Sequence, residues 1–293
     1  MDRSITSEVK LDAPSSRKTG HPPIGVLLRQ WRVTRALSQL DLAEDCGLSV
    51  RHLSFVENGR AQPSRGMIVR LADTLGLSLR ERNALLLAAG FAPQYRESGL
   101  DADAMTRMRQ AIELILEHQE PYPAFVIDRY FDVVMANAAA ARVNAFVMAG
   151  RQSRHSNLLH QIFDPEDFRR HIENFDDVAR KFIHQLHAEL AVTPSDRRLQ
   201  SLLDEVLRYP GARDAWQSCA DAPETSPLLT VNFTSAAGTL RFFETITTFA
   251  APRDVTLDEL RIDCAFPADE ATAVLCARLR ADESSGPLAA MDP

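Results

Sequence analysis

The sequence has few lysines, no closely spaced cysteines and no long apolar run. Lysine occurs three times against thirty arginines, a compositional bias that carries no function by itself. Cys46, Cys219, Cys264 and Cys276 show no CxxC spacing, which is typical of the reduced, mostly buried thiols of a cytosolic protein. No signal peptide and no bilayer-length apolar segment is found. We therefore expect a cytoplasmic protein that does not cross a membrane.

Catalytic motifs are also missing. The sequence contains no GxSxG, no Walker loop, no GxGxxG and no paired metal motif, so we predict neither an enzyme nor a bound cofactor. An enzyme whose N-terminal part only localises the catalyst remains the weaker alternative. His184 and His187 share a helix face, a spacing that permits metal binding, but no cysteine or second tight pair accompanies them. We expect them to be solvated or at the core edge, and predict no metal site.

Length and charge indicate two domains with different partners. A chain of 293 residues is long enough for about two domains, and its net charge is −7. Residues 21–97 hold ten arginines and seven acidic residues, a local charge of +3, whereas residues 98–293 carry −11. A mildly basic N-terminal domain beside an acidic remainder suits DNA binding by the former. A charge of +3 is modest, so specific binding should depend on dimerisation.

The most informative stretch is LSQLDLAEDCGLSVRHLSFVENGRAQPS, residues 37–64. Ser38 and Asp41 form a capping box that begins one helix, and Gly47 supplies the left-handed residue that ends it. Ser49 caps the next helix. The core does not require the residues at the start and outer side of this second helix. They are free to enter a major groove, and they are Val50, Arg51, His52, Ser54 and Phe55.

Neighbouring segments complete a bundle of five helices. The first helix should run from Ile24 to Ala36, the fourth from the Ser64 cap to Gly76, and the fifth from a Ser78 cap to Gly90. This predicts an N-terminal helix-turn-helix domain at residues 21–97. Residues 1–20 are polar and predicted to be a disordered tail, either inert or an arm that touches DNA through Arg17 and Lys18.

The motifs SQxxLA, GLS, ExGR and P-S resemble the phage-repressor, or XRE, class of helix-turn-helix. With LADTLGLSLRERNALLLAAGFAP and the later segments, the chain resembles the MmyB-like transcription regulators. The resemblance implies that Gln39 holds a DNA phosphate and that Arg51 reads guanine, beside Ser49, Val50 and His52 at base edges. It implies that Arg60 and Ser64 position the DNA backbone, leaves the role of Phe55 open, and pairs Arg32 with Glu57. A solvated surface role is the alternative for each DNA-contacting residue.

The rest of the chain predicts an α+β domain at residues 121–280, after a linker helix at 98–120 and before a disordered tail at 281–293. Two β-rich runs, Ala124–Ile127 and Phe131–Ala136, flank a turn at Asp128-Arg129-Tyr130. The closing strands and the helices of this domain are predicted at Asn157–Phe163, Asp167–Leu190, Asp196–Leu207, Leu228–Thr234, Thr239–Phe249, Leu260–Ala265 and from Pro267 to about Arg280. These elements indicate one five-stranded antiparallel sheet with helices on one side.

Strand, turn, strand and helix resemble the start of a PAS-like domain, and TLRFFETITTF…DVTLDELRIDCAFPADEAT strengthens the resemblance to the MmyB-like ligand-binding domain. A PAS-like sheet usually keeps a cavity, so the resemblance implies a mostly apolar, fatty-acid-like ligand. An ordinary aromatic core is the alternative for most of the phenylalanines. The candidate ligand contacts are Tyr122, Phe125, Tyr130, Phe131, Arg142, Asn144, Phe146, Phe163, Phe182, Phe233 and Phe242.

Together these patterns predict a transcription regulator, with repression favoured over activation. It should bind a palindromic operator in double-stranded DNA as a homodimer, with half-sites ~10 bp apart. A small apolar ligand in the C-terminal domain would control it. The alternative is a DNA-binding regulator whose C-terminal domain binds a protein partner; a large exposed apolar patch without a cavity would favour that.

Overall fold

The computed structural model describes residues 23–194, 196–218 and 228–284. These residues form two compact units, the first ending at Gln94 and the second continuing from Tyr95, with Ser78–Arg80 grouped with the second. The tail predicted at residues 1–20 lies outside the described residues. The tail predicted from residue 281 lies outside them from residue 285 onward, because the last helix continues to Ser284.

The first unit is the predicted bundle of five helices: α1 Ile24–Thr34, α2 Gln39–Asp45, α3 Val50–Glu57, α4 Arg65–Thr74 and α5 Leu79–Ala88. The side chains of Ser38, Ser49 and Ser64 accept the backbone N–H groups that begin α2, α3 and α4. α1 ends two residues before the predicted Ala36, because Ala36 takes a left-handed φ of 53°. The core of the unit is made of fully buried side chains, among them Leu28, Leu42, Leu53, Leu71 and Leu85.

The second unit contains the predicted five-stranded antiparallel sheet. Its strands are β1 Ala124–Ile127, β2 Val133–Ala136, β3 Thr230–Ser235, β4 Gly238–Thr247 and β5 Arg261–Pro267. They lie in the order β2-β1-β5-β4-β3, and every neighbouring pair is antiparallel. β2 begins two residues later than predicted because Phe131 takes a φ of 66° within the turn that Asp128 closes.

The helices of the second unit are α6 Thr106–His118, α7 Ala138–Val147, α8 Leu158–Phe163, α9 Phe175–Val192, α10 Arg197–Val206, α11 Ala212–Gln217, α12 Val255–Glu259 and α13 Glu270–Ser284. The single helix predicted over Asp167–Leu190 is wrong. A 3₁₀ turn at Phe168–His171 precedes α9, because Ile172 leaves the helical conformation to pair with Phe233 of β3. The short helices α11 and α12 were not predicted.

Both faces of the sheet are covered by helices. On one face, Ile127, Leu240 and Phe242 join an apolar cluster with α7 to α11 and α13, and this face is called the inner face below. On the other face, Val126 and Ile262 pack with α6 and α12. The prediction of helices on one side alone is therefore wrong, and the central strands are buried on both sides.

Candidate functional site

The start of α3 presents a row of exposed side chains. Leu53 and Val56 are fully buried, which fixes the helix against the bundle. Val50, Arg51 and His52 are exposed, together with the capping residue Ser49. The first turn of α3 is therefore exposed, as is required of a helix that enters the major groove of DNA.

Phe55 lies one turn beyond Arg51 on the same side of α3 and is half-buried. The guanidinium carbon of Arg51 lies 5.3 Å from the centre of the Phe55 ring, within the range of a cation–π contact. The ring therefore restricts the orientation of the guanidinium. The sequence left the role of Phe55 open; in the structure, Phe55 contacts Arg51, the side chain predicted to read guanine.

The remaining predicted DNA contacts flank α3 on the surface of the first unit. Ser49 Oγ accepts the backbone N–H of His52 at 3.2 Å, and Ser64 Oγ accepts that of Met67 at 3.3 Å. Both hydroxyls are thus used as helix caps, although both residues are exposed. Arg60 is exposed in the loop after α3.

Arg32 and Glu57 lie together as a paired, nearly buried charge cluster. Arg32 donates to the two carboxylate oxygens of Glu57 from Nε at 2.7 Å and from Nη2 at 3.0 Å. The Glu57 side chain is 0% exposed, and Arg29 adds a second cation at 3.6 Å. Gln39, predicted to hold a phosphate, donates Nε2 to Glu57 at 2.7 Å. The sequence paired Arg32 with Glu57 but gave no signal that Gln39 and Arg29 join them.

The cluster keeps Glu57 ionised. Burial alone raises the pKa of Glu57, but the hydrogen bonds from Arg32 and Gln39 and the charges of Arg32 and Arg29 outweigh it. The pKa of the carboxyl therefore lies below its usual value. Gly25 permits the close approach behind this cluster, since a Cβ there would lie 2.2 Å from the carbonyl oxygen of Glu57.

Most of the candidate ligand residues meet in the inner-face cluster. Phe131, Phe163, Phe182 and Phe242 are at most 3% exposed, and Phe131 meets Phe182 edge to face at 6.2 Å. Five others are half-buried against the same cluster: Tyr122, Phe125, Tyr130, Phe146 and Phe233. Two candidates stand apart. Arg142 forms an ion pair with Glu120, and Asn144 is exposed.

A polar cleft of about 410 Å³ lies between the β1–β2 turn, the start of α8 and α10. Among the candidate ligand residues, Tyr130 lines it, and Arg198 stacks on the Tyr130 ring at 3.9 Å while pairing with Asp132. His160 pairs with Glu205 across the cleft at 3.3 Å. The sequence gave no signal for this cleft, because its walls come from three segments distant in the chain.

The histidines of the second unit have other partners. His155 Nε2 lies 2.8 Å from Asp164, and its hydrogen bond holds the pKa of that carboxyl below the usual value. His187 stacks on Trp216 at 4.8 Å. The described residues contain no group of three or more His, Cys, Asp and Glu side chains suited to a metal ion.

Comparison with known proteins defines the family. A family model described as "MmyB-like transcription regulator ligand binding domain" matches residues 108–279, more than half of the chain. The chain belongs to the MmyB-like transcription regulators. A second model, "Helix-turn-helix domain", matches residues 23–85 of this MmyB-like regulator. Both families describe parts of DNA-binding regulators rather than enzymes.

Two individual proteins are similar to parts of this MmyB-like regulator. The "ImmF control region 10 kDa protein" of Bacillus phage phi105 is 34% identical over 89 residues, which is 30% of this chain and 93% of that protein. A solved structure described as "Structure of an RNA-binding Light-Oxygen-Voltage Receptor" aligns over 89% of this chain and 62% of its own, at 13% identity and a TM-score of 0.25. That score is too low to support an argument. Among the residues that the structure describes, no helix has both the length and the apolar character needed to span a membrane.

Proposed function

We propose that this regulator binds a palindromic operator in double-stranded DNA as a homodimer, through α3. The accessible first turn of α3 carries the proposal: Val50, Arg51 and His52 are exposed on a helix whose Leu53 and Val56 are fully buried. Arg51 has the fork geometry that matches O6 and N7 of guanine, and Val50 suits a thymine methyl. By resemblance, Arg60, Ser64 and Gln39 would contact the DNA backbone.

The proposed homodimer is supported by an argument from charge. The charge of +3 on residues 21–97 is too small for one copy to hold DNA tightly at physiological salt. Two copies double the contacts and require half-sites ~10 bp apart. Repression is the proposed sign of regulation, as the resemblance of residues 37–64 to phage repressors implies.

The second unit is proposed to bind a small, mostly apolar molecule that changes the DNA-competent state of the dimer. Support comes from the match to a ligand-binding domain family and from the sheet with an aromatic inner face, which suits a PAS-like sensor. Phe125, Tyr130 and Phe233 are half-buried at the edge of this aromatic cluster, where an apolar molecule could reach them.

The DNA claim is tested by selecting an operator from random duplexes with the full-length protein, then comparing Arg51→Ala with Arg278→Ala. Both variants lose one exposed arginine, but Arg278 lies on α13 of the second unit. R51A should lose ~1–3 kcal/mol of preference at one base pair in each half-site, and R278A should bind as the wild type. An equal loss on every sequence would show that Arg51 contacts only phosphate.

The ligand claim is tested by native mass spectrometry of the protein as purified. A dimer with extra mass that disappears on denaturation supports a bound small molecule. A dimer at its bare mass contradicts a tightly held ligand and favours the alternative, a second unit that binds a partner protein. A monomer at bare mass contradicts the proposed dimer.

A further inference from the structure

The polar cleft between the β1–β2 turn, the start of α8 and α10 has no role in the function proposed above. Its volume of about 410 Å³ lies in the range of sites that bind small organic molecules. Leu202 is the one aliphatic side chain of the lining that the structure describes, and this lining contains none of the phenylalanines of the inner-face cluster. The cleft therefore suits a polar molecule rather than the apolar one proposed for the aromatic cluster.

Three polar contacts hold the walls of this cleft together. Asn157 Nδ2 donates to Asp132 Oδ1 at 2.9 Å, which joins the start of α8 to the β1–β2 turn. Arg198 Nη2 donates to the other oxygen of Asp132 at 2.5 Å, which joins α10 to the same turn. His160 of α8 lies 3.3 Å from Glu205 of α10. Because each wall is joined to the other two, the cleft is formed before a ligand enters, and the ordering cost of binding is lower.

Arg154 supplies an unpaired positive charge in the wall before α8. Its backbone N–H donates to the buried Asp167 Oδ2 at 3.2 Å, which fixes the residue at the cleft. Its side chain is exposed and has neither an ion pair nor a hydrogen bond to any residue that the structure describes. The two carboxylates of the described lining, Asp132 and Glu205, have partners already. The guanidinium of Arg154, whose N–H groups match the oxygens of phosphate or carboxylate, is thus available to an anionic group.

The paired carboxylates of the lining can accept further hydrogen bonds. The side chains of Asp132 and Glu205 are 31% and 43% exposed, and each carboxylate oxygen has two lone pairs. Since Arg198 already balances the charge of Asp132, a neutral hydroxyl donor suits this carboxylate. The hydroxyl-bearing side chains of Ser156 and Ser201 lie in the same lining. The walls therefore match a molecule with several hydroxyl groups.

We propose that this cleft is a second ligand site, which takes a small hydroxyl-rich molecule with one anionic group, such as a sugar phosphate or a sugar acid. Arg154 binds the anionic group, and Asp132 and Glu205 accept hydrogen bonds from the hydroxyl groups. A ligand bound in this way contacts the β1–β2 turn, the start of α8 and α10 at once. The inference goes beyond the proposed function, because it concerns a different site and a different class of ligand.

The test uses glucose 6-phosphate, glucuronate and glucose, each titrated calorimetrically into the full-length protein in a buffer without phosphate or carboxylate. The three probes share a hexose body, and only the first two carry an anionic group. At least one of these two should bind at least about tenfold more tightly than glucose, which lacks the charge-assisted hydrogen bond to Arg154. The tighter of the two shows whether the anionic group is a phosphate or a carboxylate.

Three variants locate the binding. Arg154→Gln should remove the preference for an anionic probe, and it should fold because the side chain has no partner among the described residues. Ser201→Trp, at an exposed position of α10, should weaken the binding of every probe at least about tenfold by filling the cleft. Arg208→Gln is the matched control, because Arg208 is an exposed arginine just beyond α10 that does not line the cleft, and it should change no affinity.

Equal affinity for the three probes, or binding of none of them, overturns the inference. Anionic binding that is unchanged in Arg154→Gln or in Ser201→Trp also overturns it, because the anion then binds elsewhere. None of these outcomes affects the apolar ligand proposed for the aromatic cluster, which native mass spectrometry tests separately.

Discussion

Replacing Glu57 by glutamine should destabilise the first unit strongly while leaving its shape unchanged. The Glu57 side chain is 0% exposed and accepts hydrogen bonds from Arg32 and Gln39. Glutamine has nearly the same volume, but its NH₂ group would turn donors toward the donors of Arg32. The Arg32 side chain is 12% exposed, so its charge would stay largely buried without a counter-charge. Removing one partner of such a pair costs ~3–5 kcal/mol.

Fluorescence can isolate the first unit, because each unit holds one of the two tryptophans. Trp31 is 4% exposed in the core of the first unit, whereas Trp216 lies on α11 of the second and is 37% exposed. In a Trp216→Phe background, urea unfolding followed by Trp31 emission reports the first unit. With a slope of ~1–3 kcal/mol per M, the E57Q midpoint should fall by at least about 1 M. Glu44→Gln, at an exposed position of α2, should leave the midpoint unchanged.

The pH dependence supplies a second signature of this cluster. Because the pKa of Glu57 is lowered in the folded state, its contribution is fully present above the ordinary carboxyl pKa of about 4.3 and is lost as pH falls through the lowered value. The gap in stability between wild type and E57Q should therefore shrink in acid. A gap below about 0.5 kcal/mol at pH 7, the size of an ordinary surface substitution, or a gap independent of pH would refute this reasoning.

Three further outcomes are expected. The free energy of unfolding of the second unit should fall as pH rises from about 4 through about 7, because burial raises the pKa of Asp263 on β5, which therefore holds its proton to higher pH in the folded state than in the unfolded chain. Asp263→Asn should abolish this pH dependence and stabilise the unit by up to about 4 kcal/mol above pH 7. Hydrogen exchange of the β5 amides measures both effects. Gly25→Ala should destabilise the first unit by roughly 2 kcal/mol or more, since the new Cβ would collide with the carbonyl oxygen of Glu57. Gly66→Ala is the control: a Cβ at Gly66 of α4 meets open space, so this variant should stabilise the unit by ~0.5–1 kcal/mol in the same urea assay. Phe55→Leu should relax the base preference assigned to Arg51 about 2–5-fold in operator selection, through loss of a contact worth ~0.5–1 kcal/mol.

The sequence predicts those elements that depend on neighbouring residues. Ser38, Ser49 and Ser64 cap their helices through hydrogen bonds that span three residues, so the start of each helix could be read directly. The five strands were also predictable from local β-rich runs. The break before α9 was not, because Ile172 leaves the helix to pair with β3, sixty-one residues further along the chain.

Site geometry was less predictable than the elements, because it depends on contacts between distant segments. Gln39 was assigned to phosphate from its place in a motif, yet it hydrogen-bonds Glu57 only because α1, α2 and α3 converge. Asp263 was overlooked for a different reason. In a strand with one solvated face, an aspartate between Ile262 and Cys264 would point to water. Here helices cover both faces, so Asp263 is buried on the inner face.

The contrast between Glu57 and Asp263 separates a buried charge that the fold explains from one that it does not. Glu57 receives three side-chain hydrogen bonds and two nearby cations, so its desolvation is offset within the first unit. Asp263 is equally buried, but its Oδ1 has no such partner among the described residues; Lys181 pairs with Glu244, and Arg261 pairs with Glu189 through Nη2. Its pKa of about 7 shows that the folded state tolerates the charge rather than gaining from it. A neutral residue of similar size would therefore stabilise the second unit more at pH values above about 7.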